Sequence, residues 1–367
     1  MIKSRFLYQA LSFALLICSC SVDLSQTSVT PRVEQTPMIS TTSTFPATQI
    51  PVTWAHLNLT GKLVYLSSTT EGDQLTSKVQ LLDLEAGTIS TLWSIPSAWV
   101  YYATVSAERN MLVMSYSPPQ QSSSSSNRSL YVIPLDTSAE PQPLFTPPTP
   151  SDRYTQAEWS PNGSSLYYVH YNQEQRPEGQ FYEDYDISQL TYPEGEHRKI
   201  LEHAFWPRVS PDSSKLVYVS LDPESGRNEL FTANTDGSNS RRVTLSGPQP
   251  LEIIDAPIFS PDGQSILFSA PPPSQSHQPN FLERLAGIQI ARAHSVPSDW
   301  WSVPVAGGVP TRLTNLQTIN LFASISPDQQ HIASLSGDGI FVMDLDGSNL
   351  TQIVSDPGVH GTISWIP

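Results

Sequence analysis

Cysteine is nearly absent from this chain of 367 residues: Cys18 and Cys20 are its two. Both stand near the N-terminus, so no later residue can supply a structural disulfide, a zinc cluster or a thiol nucleophile. Positive charge is also scarce, with Lys and Arg at 19 against 34 Asp and Glu and a net charge of −15. A phosphate backbone is bound through a basic surface that releases counterions, so nucleic acid is excluded as a partner. Charged residues of both signs make up 14%, against about 25% in an average domain. Long apolar runs are missing too. The longest, Phe6 to Ile17, is too short to span ~30 Å of hydrocarbon. What the chain does hold is proline, 33 residues and nearly twice the usual ~5%, with 38% hydrophobic residues to build a core.

The apolar run follows Lys3 and Arg5 and precedes Ile17-Cys18-Ser19-Cys20, the layout of an export signal. The last four residues resemble a bacterial lipoprotein lipobox, with an aliphatic residue three before the cysteine and a small one just before it. The resemblance implies removal of residues 1–19 and lipidation of Cys20. The chain is then exported and lipid-anchored to the outer leaflet of the cell membrane or to the outer membrane. An ordinary secretory signal cleaved nearby is the alternative. Residues 20–53 follow as the lipidated cysteine and a tether. Ser, Thr and Pro supply 17 of positions 21–53, too little apolar surface to offset the entropy of ordering.

From residue 54 onward the sequence repeats. Trp159-Ser160-Pro161-Asn162-Gly163, Val209-Ser210-Pro211-Asp212, Phe259-Ser260-Pro261-Asp262-Gly263 and Ile325-Ser326-Pro327-Asp328 share one turn signature, with Val105-Ser106-Ala107-Glu108 a degraded copy. Proline pre-sets φ, Asp or Asn accepts backbone N–H groups, and glycine tolerates positive φ. An alternating apolar strand follows each turn. A second punctuation, clearest at Asp236-Gly237-Ser238-Asn239 and Asp346-Gly347-Ser348-Asn349, joins a third strand to a fourth. Six such units of four antiparallel strands read as a six-bladed β-propeller over residues 54–367. The first unit lacks its innermost strand, and Gly361 to Pro367 mirrors Gln156 to Pro161. The C-terminal strand is therefore expected to join blade one and close the ring.

These turns resemble those of the TolB-type, WD40-like β-propeller repeat family over about residues 56–367. The resemblance implies the propeller fold and leaves activity open. Prolyl-oligopeptidase-type enzymes carry a similar propeller beside a hydrolase domain, but this sequence contains no Gly-x-Ser-x-Gly nucleophile elbow.

In a four-stranded meander the tight turns share one face of the disc, and the long connections share the other. Any ligand site is expected on the long-loop face, at the mouth of the central channel. Counting six residues back from each turn serine gives Val100, Tyr154, Ala204, Ile254 and Asn320, with His360 matched from the C-terminus. The candidate ligand-binding residues at and beside these positions are Tyr101, Arg153, Tyr154, His203, Trp206, Asp255, Asn320 and His360. Packing between blades would account for the same aromatics. Apolar spacing predicts a helical stripe over Phe281–Arg292, inside the insertion 271–299, either as a lid or as an ornament on its own blade. Asp344-Leu345-Asp346-Gly347 reads as a turn, since an EF-hand also needs a later glutamate and flanking helices. Glu183-Asp184-Tyr185-Asp186 reads as a solvated edge.

No nucleophile, metal or cofactor constellation stands out. The expectation is a non-catalytic monomer, membrane-tethered, that binds a protein, peptide or glycan of the cell envelope. The alternative is a metal-dependent polysaccharide lyase or hydrolase at the channel mouth, for which His203 and His360 would have to converge with a third ligand. A purely structural disc is a further reading.

Overall fold

The Ser-Pro-Asp turns show why the strands begin where they do. The computed structural model describes residues 47–367 apart from 120–127, 136–138, 150–151, 176–180, 194, 222–226, 248–250, 252 and 274–295. In it the Ser260 hydroxyl donates to Asp262 at 2.6 Å and accepts the Ser265 backbone N–H at 2.9 Å. Asp262 accepts the N–H of Gln264 at 3.0 Å. Ser160, Ser210 and Ser326 repeat the arrangement with Asn162, Asp212 and Asp328. Each turn thereby satisfies its own backbone donors and fixes a reversal between two strands.

The strands form six sheets. Blade one has β1 (Thr48–Gln49), β2 (Lys62–Glu71), β3 (Gln74–Asp83) and β4 (Thr88–Pro96). Blade two has β5 (Trp99–Ser106), β6 (Met111–Ser117), β7 (Ser129–Pro134) and β8 (Gln142–Pro143). Blade three has β9 (Arg153–Trp159), β10 (Ser165–Gln175), β11 (Phe181–Thr191) and β12 (His197–Leu201). Blade four has β13 (Ala204–Val209), β14 (Lys215–Leu221), β15 (Asn228–Asn234) and β16 (Arg241–Arg242). Blade five has β17 (Asp255–Phe259), β18 (Ser265–Ala270), β19 (Asp299–Pro304) and β20 (Thr311–Arg312). Blade six has β21 (Phe322–Ile325), β22 (His331–Ser336), β23 (Gly339–Asp344) and β24 (Thr351–Val354), and the chain ends in β25 (Val359–Ile366). Every pairing between these strands is antiparallel, and the fold is the expected six-bladed propeller.

Closure is as the sequence predicts. β25 is the innermost strand of blade one, with Leu63 opposite Trp365 and Val64 opposite Ser364. Its residues also hold both neighbouring blades. The Trp365 N–H donates to Ser324 Oγ of blade six at 3.0 Å, and Thr362 Oγ1 accepts the Ala103 N–H of blade two at 2.8 Å.

Order begins ahead of residue 54. β1, inside the stretch read as tether, pairs with β4 through Thr48 and Ile89 and makes blade one five-stranded. Trp54 is 1% exposed and donates Nε1–H to Leu84 O at 2.9 Å. A buried indole and a covered sheet edge both favour ordering this segment. Cys20 and the leader, positions 21–46, the Ser122–Ser126 run and the helical stripe 281–292 lie outside the described residues.

The blades pack face to face. Val113 and Leu130 of blade two meet Tyr154, Leu166 and Leu190 of blade three in one buried cluster. The Asp-Gly turns brace the outer rim. Gly237 has φ +84°, and a Cβ there would lie 2.3 Å from the Ile200 carbonyl oxygen of the preceding blade. Gly347 stands likewise against Leu313. Only glycine combines that φ with so close an approach.

Candidate functional site

The innermost strands build the site, and their irregularities decide which side chains it receives. β9 slips register against β10 between Tyr167 and Val169, β13 against β14 between Phe205 and Arg208, and β17 against β18 between Asp255 and Ile258. β25 slips by two residues against β2 between His360 and Ile363. Each bulge contains a left-handed residue: Gln156 (φ 50°), Trp206 (56°), Ala256 (43°) and Gly361 (68°). Left-handed backbone is costly for residues with a Cβ, and an extra residue in a strand shifts the alternation of faces by one.

That shift explains where the predicted positions fall. Val100, Tyr154, Ala204 and Ile254 are buried, at 0%, 6%, 0% and 3% exposure, within the blade clusters. Tyr154 stacks on His170 at 4.9 Å and meets Phe145 edge-on at 4.7 Å. Burial first, and then the Asp152 carboxylate, push its hydroxyl up to about 12. Asp255 is buried and accepts the Ala256 N–H at 3.0 Å. Asn320 takes φ 58° just before β21 and is half-buried. Arg153 is half-buried, with Nη1 donating to Asp152 O at 3.1 Å.

Trp206 is drawn inward instead. It meets Tyr102 edge-on at 5.1 Å and Phe322 at 5.1 Å, and Tyr102 lies 5.9 Å from Phe322. These rings come from blades two, four and six, no two of them adjacent. Their mutual contact therefore lies on the ring axis and plugs the channel. All three precede a turn serine by four residues, with Gln156 and Ala256 at that position in blades three and five. The Gln156 Oε1 accepts the Trp206 N–H at 2.9 Å. Two residues nearer the turns, Arg208 Nη1 donates to Glu158 Oε2 at 2.7 Å, and Thr104 Oγ1 stands 3.5 Å from the same oxygen. Burial raises the Glu158 carboxyl even against the Arg208 charge. Of these two layers the sequence candidates included Trp206 alone, expected at the channel mouth rather than as part of a plug. The signal was the recurring offset from the turn serines, with bulky rings in every second blade.

The surface that remains at the long-loop end is aromatic and partly charged. Trp99, Tyr101, Tyr171, Tyr185 and Phe205 are half-buried. Tyr185 lies 4.9 Å from Tyr171 and 5.8 Å from Phe205. His203 pairs with Asp184 at 2.9 Å. His360 stacks on Trp99 at 4.7 Å, with Nδ1 3.1 Å from Gly358 O and Nε2 3.0 Å from Val100 O. His203 and His360 are thus held by different partners. Among the described residues no three His, Cys, Asp or Glu side chains gather as a metal site.

No protein-family model matches the sequence. The fold is similar to TolB from Acinetobacter baumannii, with TM-score 0.56 and 15% identity over 84% of this chain and 67% of that one. It is similar to putative TolB from Agrobacterium tumefaciens, with TM-score 0.55 and 16% identity over 84% and 99%. A chain in the crystal structure of a nidogen/laminin complex matches at TM-score 0.55 and 12% identity over 83% and 98%. At these identities the likeness is one of fold, and the class it defines is the six-bladed β-propeller.

Proposed function

We propose that this protein is a non-catalytic binding propeller that presents its long-loop face to a protein partner, taking hold of an exposed peptide segment. It is exported and held at the cell envelope by a lipid on Cys20. The observation that carries this reading is the pairing of a plugged channel with a half-exposed aromatic rim. Tyr102, Trp206 and Phe322 fill the axis, so a ligand meets a surface rather than a deep cleft. Aromatic side chains with nearby cations are the composition that protein interfaces favour. The TolB neighbours and the similar chain of the nidogen/laminin complex are compatible with it.

The test is site-specific photo-crosslinking in cells. A benzophenone amino acid replaces Phe205 on the long-loop face or Asp346 in a tight turn of the opposite face. Adducts from position 205 and none from position 346 are expected; the reverse would overturn the choice of face. Labelling with a radioactive fatty acid that is lost on Cys20→Ser checks the anchor, and labelling unaffected by the change refutes it.

A further inference from the structure

At the long-loop end of blade two, hydrogen-bonding capacity goes unused. Ser129 is 4% exposed, and its Oγ has no partner. Ser117 Oγ and Arg128 Nε, at the adjoining ends of β6 and β7, are likewise buried and unpartnered. Such groups are costly when left unsatisfied, and natural interiors keep few of them. Among the described residues no carboxylate pairs with Arg128, in a chain where acids outnumber bases 34 to 19. Its guanidinium instead lies over the Tyr101 ring at 4.1 Å. Its backbone is fixed, since Arg128 O accepts the Tyr154 N–H at 3.1 Å. Trp99 stands beside Tyr101, the ring centroids 6.2 Å apart.

The Arg128 guanidinium and the Ser117 hydroxyl, which lies on the Trp99 side of the sheet, can both donate and lack an acceptor, whereas Ser129, opposite Tyr116, belongs to the other face. A guanidinium fork matches a carboxylate in shape and charge. We propose that this end of blade two is a subsite for a single carboxylate carried on a peptide whose neighbouring residues are apolar. The inference rests on the long-loop face being the protein-binding face. A polyanionic glycan is disfavoured because it must approach a molecule of net charge −15, whereas one carboxylate meets little of that repulsion. One face of each nearby ring is also already covered, Tyr101 by Arg128 and Trp99 by His360, which reduces the stacking surface open to a sugar. Apolar residues flanking the carboxylate would lie against Trp99 and Tyr101.

The experiment selects a random dodecapeptide phage library on the full-length protein and measures a synthetic peptide from the most enriched clone by calorimetry. Enriched peptides are expected to share one Asp or Glu among apolar residues. Replacing that acid by its amide should weaken binding about tenfold to a hundredfold, the worth of one charge-assisted contact. Arg128→Gln should weaken binding of the acidic peptide by a similar factor and bind acid and amide peptides within about twofold of each other. Arg128→Lys, which keeps the charge without the fork, should fall between. Arg241→Gln, an exposed cation of blade four, should leave affinity unchanged. Thermal melts confirm that the variants fold. The proposal is overturned by no enrichment, by enriched peptides without an acid, or by an acid preference that survives Arg128→Gln. Trigalacturonic acid binding more tightly than the peptide, and through Arg128, would replace it with a glycan site. Failure here with crosslinks still forming at position 205 removes the subsite and leaves the face; loss of both removes the face.

Discussion

A hydroxyl and a carboxyl two residues apart do most of the local work in this fold. In the turns of blades four and five, the hydroxyls of Ser210 and Ser260 foremost, and then backbone N–H groups, hold the Asp212 and Asp262 carboxyls below the ordinary 3.8. The sign follows from linkage. A folded value below the unfolded one gives stability that is present above the unfolded value and lost as pH falls toward the folded one. Asn162 makes the same turn without a titrating group. Asp262→Asn should therefore leave the urea midpoint near neutral pH almost unchanged, within about 0.5 kcal/mol. The variant should lose less stability than the parent between about pH 4 and pH 2; identical acid slopes would refute the assignment. Ser210→Ala is different, because the Lys215 N–H then loses its acceptor. A loss of about 1–3 kcal/mol is expected in denaturant titration.

At the scale of the strand, the bulges convert a regular repeat into a particular site. Ala256 is 1% exposed at φ 43°. Glycine in a strand interior is ordinarily unfavourable by about 0.5–1 kcal/mol, yet Ala256→Gly should be neutral or stabilising by about 1 kcal/mol because it relieves left-handed strain. Calorimetric melting checks it, and a clear drop in midpoint would show that the bulge carries no such strain. Trp206→Ala removes the centre of the channel plug and should cost about 3–5 kcal/mol, read from urea unfolding. The bulges also mark where the sequence stops being legible. The Ser-Pro-Asp spacing and alternating strands reveal the blades, their order and the closing strand, because turn chemistry and period two are local properties. A single extra residue is not visible in that pattern. Counting six back from the turn serine therefore reached Tyr154 and Ile254, which the slipped alternation packs between blades, while Phe322 went unnoticed and the part Tyr102 plays on the axis could not be read. Arg128 was missed for a related reason: an unpartnered donor is visible only among three-dimensional neighbours.

The propeller is a ring, and its stability depends on contacts that skip along the chain. Glu158 of blade three reaches Arg208 of blade four and faces Thr104 of blade two. Glu158→Ala leaves Arg208 uncompensated in a mostly buried place and should cost about 3–5 kcal/mol, much of it recovered by adding Arg208→Ala. Equal losses in the single and double variants would argue against coupling. The largest skip is the closure itself. Every blade has two packed neighbours only while β25 lies between blades six and two, with Trp365 bonded to Ser324 and Thr362 to Ala103. Deleting residues 361–367 removes one strand by length but opens faces on both sides of blade one, in an architecture whose stability comes from contacts between neighbouring units. The expected result is loss of near-ultraviolet dichroism and of a cooperative urea transition for the whole propeller. Blade one alone should not be what melts. A truncated chain that still unfolds cooperatively, with a midpoint close to that of the intact protein, would mean that the blades hold their ring without the C-terminal strand. The channel plug, whose three rings meet only when alternate blades are drawn around one axis, would then have to be the main clasp.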